Sequence, residues 1–226
     1  MKQSIFTIVS NTTLTANVYK MVLQGDVSAI TAPGQFVNIK LDGLYLRRPI
    51  SVCDLSCDTL TIVYKAVGKG TEQMSHMTAG EKPVLLGGGV GVPPMYLLAK
   101  ELIAQGKKVS VILGFNTKDE VFYEQEFKTL GCDVTVTTVD GSYGVKGFVT
   151  TALEAMTYTY FYTCGPEPML KAVFKTSNTS GQMSFEKRMG CGFGACMGCS
   201  CKTITGYKRI CKEGPVMKKE EILWED

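Results

Sequence analysis

Four cysteines close to the C-terminal end, Cys191, Cys196, Cys199 and Cys211, constrain this chain more than any other feature. They form a C-x4-C-x2-C run with a distant fourth member, the ligand spacing of a plant-type 2Fe-2S cluster. Thiolates at that spacing can converge on one small inorganic core. Gly190, Gly192, Gly194 and Gly198 interleave with them, so backbone N–H groups can approach the core's sulfurs, where hydrogen bonds raise the reduction potential. Such a segment is expected to wrap around something compact rather than to run as a periodic helix or strand. The alternative is structural zinc. Cys196-x2-Cys199 is one zinc knuckle, and Cys201 or Cys191 with Cys211 would form the second half at irregular spacing. Cys201 follows Cys199 by two residues, but the fourth ligand of such clusters normally comes from a later strand, so Cys211 is assigned and Cys201 treated as a bystander. Cys53, Cys57, Cys132 and Cys164, each isolated, read as packing residues.

Composition narrows the rest. At 226 residues the chain suits two compact domains plus a small cysteine-rich appendage. Its 24 basic and 21 acidic side chains leave a net charge of only +3, and no Lys/Arg run exceeds two, so no nucleic-acid partner is expected. The first residues carry no apolar stretch of signal-peptide length. The longest apolar run, Val84 to Leu98, is broken by four glycines and two prolines, so no membrane span is expected. The chain therefore reads as cytoplasmic. In that reducing compartment clustered cysteines hold metal rather than disulfides.

Residues 1 to about 80 read as β-structure. Ser4–Val9, Asn17–Leu23, Gln35–Leu41, Ile50–Asp54 and Leu60–Tyr64 are short segments rich in Val, Ile, Phe and Tyr, separated by turn-formers such as Ala32-Pro33-Gly34. They predict a small antiparallel barrel. From Lys82 the pattern becomes strand, Gly-rich turn, helix, strand. Pro83–Leu86, Lys108–Leu113, Val134–Val139 and Tyr158–Tyr162 predict a parallel sheet, with helices over Pro94–Gln105 and Val121–Leu130. Beyond about Ser184 regular periodicity stops. The expected class is α+β multidomain: an antiparallel β-barrel over 1–81, an α/β nucleotide domain over 82–183, and a cluster domain over 184–226.

Two further motifs bear on chemistry. Gly87-Gly88-Gly89-Val90-Gly91-Val92-Pro93-Pro94 stands between strand and helix, where glycines let the backbone approach a phosphate and prolines preset the first helical turn. It is not G-x-G-x-x-G, since Val92 stands where the last glycine belongs. A plain strand-to-helix turn needs one glycine rather than four, which favours a dinucleotide. Arg47-Arg48-Pro49-Ile50-Ser51 taken alone reads first as a solvated edge and takes its weight from its company. Gly68-Lys69-Gly70-Thr71, at the start of a helix predicted over Thr71–Met77, offers a second small anion-binding turn.

Together these residues resemble a known family. Arg48-Pro49-Ile50-Ser51 looks like the flavin-binding R-x-[YF]-[ST] signature of the ferredoxin-NADP reductase superfamily. Gly88-Gly89-Val90-Gly91-Val92-Pro93-Pro94 resembles its pyridine-nucleotide loop, and Cys164-Gly165-Pro166 its nicotinamide-side motif. With a C-terminal cluster added, the order resembles the electron-transfer subunits of NAD-dependent (class 1B) dihydroorotate dehydrogenases, as do Asp140-Gly141-Ser142-Tyr143-Gly144 and Glu186-Lys187-Arg188-Met189. The resemblance covers essentially the whole chain.

The resemblance implies the following. FAD is held by Arg48, Pro49, Ile50 and Ser51, with Val63, Tyr64 and Lys65 lining the flavin and Gly70 and Thr71 donating to phosphate. NAD is held by Gly88, Gly89, Gly91, Cys164, Gly165 and Pro166. No protein acid or base is required. Tyr64 is the candidate for aromatic stacking, because Ile50 stands where relatives carry an aromatic residue. NAD is favoured over NADP, since Asn116-Thr117-Lys118-Asp119-Glu120 offers no arginine for a 2′-phosphate. The partner is an FMN-containing dihydroorotate dehydrogenase subunit, in a heterotetramer serving pyrimidine (UMP) biosynthesis. Two other readings stand beside it: the electron-transfer subunit of a sulfide dehydrogenase or NADH-dependent ferredoxin:NADP oxidoreductase, and a zinc-stabilised interaction module. The chain departs from the family in having only Met77–Lys82 between the Gly70 helix and the nucleotide loop, so that the flavin-binding β-barrel is expected to lack its last strand, and in a short Cys199–Cys211 interval, as expected of a trimmed member.

Overall fold

The computed structural model describes residues 4–80, 84–85 and 92–224. The expected Gly88, Gly89 and Gly91 loop lies outside them. The barrel half comprises β1 (Ser4–Ile5), β2 (Thr7–Thr15), β3 (Val18–Gln24), β4 (Phe36–Ile39), β5 (Arg48–Leu55), β6 (Thr59–Lys65), helix α1 (Lys69–Ser75) and β7 (Val84–Leu85). Five strands pair antiparallel in the order β2-β3-β6-β5-β4. Alternation along them sends Ile8, Met21, Leu23, Val37, Ile39, Leu60 and Ile62 into one buried core. The sheet is barrel-like rather than closed among the described residues.

Asn11 fixes α1 to this sheet. Its amide donates to the carbonyls of Met74 and Met77, both at 2.9 Å, and its Oδ1 accepts the Tyr64 hydroxyl at 3.1 Å. The helix that begins at Lys69 is thereby set beside Arg48 of β5.

The second half comprises α2 (Val92–Ala104), β8 (Ser110–Phe115), α3 (Glu124–Thr129), β9 (Asp133–Thr138), β10 (Val145–Lys146), α4 (Val149–Glu154), β11 (Phe161–Cys164), α5 (Glu167–Thr176) and β12 (Gly181–Ser184). Here the structure departs from the expected continuous parallel sheet. Among the described residues it forms two three-stranded pieces, β10-β9-β8 and β11-β12-β15, where β15 is Val216–Lys218. The reason lies in the short Val84–Leu85 run. Instead of extending the parallel sheet it pairs antiparallel with Ser4–Ile5 and lies beside β4 on the barrel side.

The two halves share a core. Val18, Cys53 and Val63 of the barrel pack with Ala99, Leu113, Tyr123 and Phe127. The Cys53 thiol donates to the Tyr123 hydroxyl oxygen at 3.3 Å. Burial pushes the Cys53 thiol up to about 12 and the Tyr64 phenol up to about 12, and lifts Tyr123 well above the usual tyrosine range. Raised folded-state values favour the neutral form, so this stability is complete below the unfolded values of 9.0 and 10.0 and is lost as pH rises towards 12. Thermal midpoints should therefore fall from pH 9 upward, and tyrosinate absorbance should show Tyr64 and Tyr123 ionising last. Complete tyrosine ionisation by pH 11 with the fold intact would contradict this.

The C-terminal module adds β13 (Ser200–Thr203) and β14 (Gly206–Arg209), a hairpin in the region where the sequence shows no periodicity. Its turn closes through Thr203 Oγ1, which donates to the Gly206 carbonyl at 2.8 Å. β15 then returns to β12, so the module shares a sheet and a core with the nucleotide half. No helix among the described residues is long and apolar enough to cross a membrane.

Candidate functional site

The structure gathers the four cysteines into two pairs. The Cys191 and Cys196 side chains are close enough to influence each other's protonation, as are those of Cys199 and Cys211. The Ala195 N–H donates to Cys191 Sγ at 3.3 Å, and the Cys211 N–H to Cys199 Sγ at 3.4 Å. Arg209, at the end of the hairpin, donates to the Gly194 carbonyl at 2.7 Å and is itself held by Glu213, so the loop is anchored at its centre.

Backbone N–H groups of Phe193 and Cys196 bring the Cys191 thiol down to about 6, while burial foremost pushes Cys211 up to about 12. The Cys191 thiol is thus readily deprotonated, whereas Cys211 gives up its proton only to a bound metal. Cys201 is turned away, its thiol 3.6 Å from Met217 Sδ in the module's core. Two pairs of thiolates are the donor set of a core with two irons, each taking two sulfurs, whereas a tetrahedral zinc ion needs all four around one point.

A cleft of ≈ 1310 Å³ reaches this module at Glu186. Arg48, Pro49, Ile50, Ser51, Val63, Tyr64, Lys65 and Thr71 line one side, and Cys164, Gly165 and Pro166 another. The facing edge strands β8 and β11 form its walls along their whole length. The residues expected from the two motifs thus share one cavity.

The local chemistry fits a large anionic ligand with an apolar body. Ser51 Oγ is buried and has no hydrogen-bond partner among the described residues, a donor left for a ligand to satisfy. Gly70 lies directly against Arg48. A Cβ built there would stand 1.8 Å from Arg48 Nε, so only glycine lets the guanidinium pass over α1. Arg48 also donates to the Leu46 carbonyl, which fixes its direction.

Two expected residues are occupied otherwise. Tyr64 lines the cleft, but its ring is stacked on Tyr19 with centroids 5.7 Å apart. The Thr71 hydroxyl accepts the Val67 N–H at 3.0 Å and donates to the Gly68 carbonyl at 3.1 Å, closing the turn before α1.

Sequence reasoning did not single out Glu120 or Met169. Glu120 lines the cleft where β8 ends, and its carboxylate accepts the Asn116 N–H at 3.2 Å and side-chain amide at 2.8 Å. Met169 packs under Gly165, where a Cβ would meet its Cε at 2.4 Å. A carboxylate following a parallel strand was the available signal for the first; the second is visible only in three dimensions.

Comparison with known proteins agrees with this geometry. Residues 186–223 match the family model described as the iron-sulfur cluster binding domain of dihydroorotate dehydrogenase B, and residues 85–175 the oxidoreductase NAD-binding domain. The chain is 40% identical to the "Dihydroorotate dehydrogenase B (NAD(+)), electron transfer subunit" of Geobacillus sp. (strain WCH70), covering 99% of both chains. It is 40% identical to the protein of the same name from Fusobacterium nucleatum subsp. nucleatum, covering 98% of this chain and 99% of that one. The first alignment runs over 256 residues against a chain of 226, so at least 30 of its positions (256 less 226) face gaps here, in accord with a trimmed member.

Among solved structures, that of an NADH-dependent reduced ferredoxin-NADP oxidoreductase superposes with a TM-score of 0.88 at 28% identity, covering 97% of this chain and 90% of that one. A ferredoxin NADP+ reductase from Neisseria gonorrhoeae with bound FAD and NADP shares the fold, with a TM-score of 0.69 at 17% identity over 78% of this chain and 90% of that one. Full-length identity and the matched cluster domain lead to one conclusion: the chain belongs to the family of electron transfer subunits of dihydroorotate dehydrogenase B (NAD(+)).

Proposed function

We propose that this chain passes electrons from a partner subunit that oxidises dihydroorotate to NAD, within pyrimidine biosynthesis. The observation that carries the reading is the presence in one structure of two thiol pairs on the cluster loop and of one cleft that joins the Arg48–Ser51 strand to Cys164–Pro166. FAD and a 2Fe-2S cluster supply the redox chemistry when bound, the cluster handling single electrons and the flavin converting two of them into one hydride.

The chain's own residues bind, orient and insulate. Cys191, Cys196, Cys199 and Cys211 hold the cluster. Arg48 neutralises the FAD pyrophosphate, with Gly70 giving it room and the α1 turn at Thr71 close by. Ser51 directs its hydroxyl at the flavin, while Ile50 and Val63 with the β6 backbone at Tyr64 and Lys65 supply apolar walls that exclude water. Cys164, Gly165 and Pro166 position the nicotinamide, and Gly88, Gly89 and Gly91 take the NAD phosphates.

The three functional domains are 1–81, 82–183 and 184–226, with Val84–Leu85 returning to the barrel side. The partner is an FMN-containing catalytic subunit in a cytoplasmic heterotetramer. Phe193 and Met197, exposed on the cluster loop at 60% and 49%, give the apolar surface through which it docks.

Co-purification with that subunit tests the proposal. The complex should release FAD, contain iron and acid-labile sulfide, and reduce NAD when given dihydroorotate. A colourless preparation with stoichiometric zinc, or one without flavin, would overturn it.

A further inference from the structure

Asn38 joins the parts of the molecule that hold different cofactors. It sits in β4, where alternation sends Val37 and Ile39 into the barrel core and Asn38 to the opposite face. Across the sheet it is paired with Pro49, within the Arg48–Ser51 motif. On its outer side it meets the cluster loop. Gly192 follows Cys191 and has φ +73, and a Cβ built on it would stand 2.8 Å from Asn38 Nδ2 and 3.4 Å from Cγ. Asn38 is only 3% exposed. A second contact brings Gly34 of the barrel against Val216, at 2.9 Å from the corresponding point.

A buried amide in a strand whose other members are Phe36, Val37 and Ile39 costs free energy unless its polar atoms are satisfied, and this one stands packed against the cluster loop at Gly192. A leucine of similar volume would fill the space but could not hold the loop in one register.

We propose that Asn38 is a positioning residue of the electron path: its amide seats the Cys191–Cys196 arm of the cluster loop against the strand bearing Arg48–Ser51, and so fixes the spacing between cluster and flavin. The proposal rests on the cofactor assignment above. Electrons enter at the cluster and leave at the flavin, so their transfer rate depends on that spacing, whereas hydride exchange between NADH and flavin does not. No new chemical step is involved.

The test compares wild-type holoprotein with Asn38→Leu, and with Asn38→Ser as a smaller polar replacement should the leucine variant misfold. Iron, sulfide and FAD contents should match wild type, and flavin reduction by NADH in stopped flow should be unchanged. The next phase, reduction of the cluster by the flavin, should slow about ten- to a hundredfold, the range for loss of an outer partner of a metal site. The electron paramagnetic resonance line shape of the dithionite-reduced cluster should change as well. Parallel loss of cofactor content and both rates marks a merely structural role and overturns the proposal, as does an unaltered second phase and line shape. Wild-type protein lacking cluster or FAD instead sinks the underlying functional reading, and the proposal with it.

Discussion

With Cys196 replaced by serine, dihydroorotate-driven NAD reduction by the complex is expected to fall about a hundredfold or more, at least the upper range seen for disturbed metal sites. Oxidation of NADH by dyes that accept directly from FAD should continue at the wild-type rate. The split follows from where Cys196 stands. It is exposed and contributes to one thiol pair only, while the hairpin Ser200–Arg209, the Arg209–Gly194 bond and the core around Met183, Ile210 and Met217 do not depend on it. Under the proposed assignment its removal would take one of four thiolates from the cluster and leave the cleft untouched. Equal loss of both activities would show that the module supports the flavin half as well. Retention of both would remove the cluster from the path.

Gly70→Ala is the second large expectation, and it works through Arg48. The new methyl group would fall 1.8 Å from Nε and 2.4 Å from Cζ, so the guanidinium must leave its place over α1. Loss of one charge-assisted contact costs about 1.5–3 kcal/mol, which corresponds to roughly ten- to a hundredfold weaker FAD binding. Fluorimetric titration of apoprotein with FAD measures this. Folding should not suffer in step, because alanine favours a helical position over glycine by about 0.8–1.0 kcal/mol. An apoprotein of at least wild-type thermal stability with a raised Kd for FAD is therefore the expected pattern. An unchanged Kd would mean that Arg48 does not reach the pyrophosphate.

Much of this was legible in the chain itself, for physical reasons that differ by region. The barrel strands are visible because one face of each is apolar, so that Met21, Leu23, Leu60 and Ile62 recur at alternate positions. The cysteines are visible because metal ligation requires particular atoms at particular spacings. Less legible was the fate of Val84–Leu85: a short apolar run has no period of its own, and only the position of Ser4–Ile5 decides which sheet it joins. The hairpin at Ser200–Arg209 was hidden for a related reason. Its strands are four residues each and mostly polar, held by the Gly206 turn and by the module around them rather than by alternation. Tyr64 illustrates a third kind of difference. Its aromatic character suggested stacking on a ligand, but a neighbouring ring at Tyr19, across the β3–β6 pair, competes for the same face.

The divided sheet carries a mechanical consequence. In an unbroken parallel sheet, moving apart the strands that flank the nucleotide site would rupture a ladder of backbone hydrogen bonds, each with a net value of about 1 kcal/mol. Between β8 and β11 no such ladder joins the two pieces among the described residues; α2, packed on both β5 and β11, spans the barrel and one piece, and α4 leans on β8 and on α5. The relative position of the cleft's two walls therefore rests, among the described residues, on packed helices rather than on backbone hydrogen bonds, the kind of contact that slides by shear.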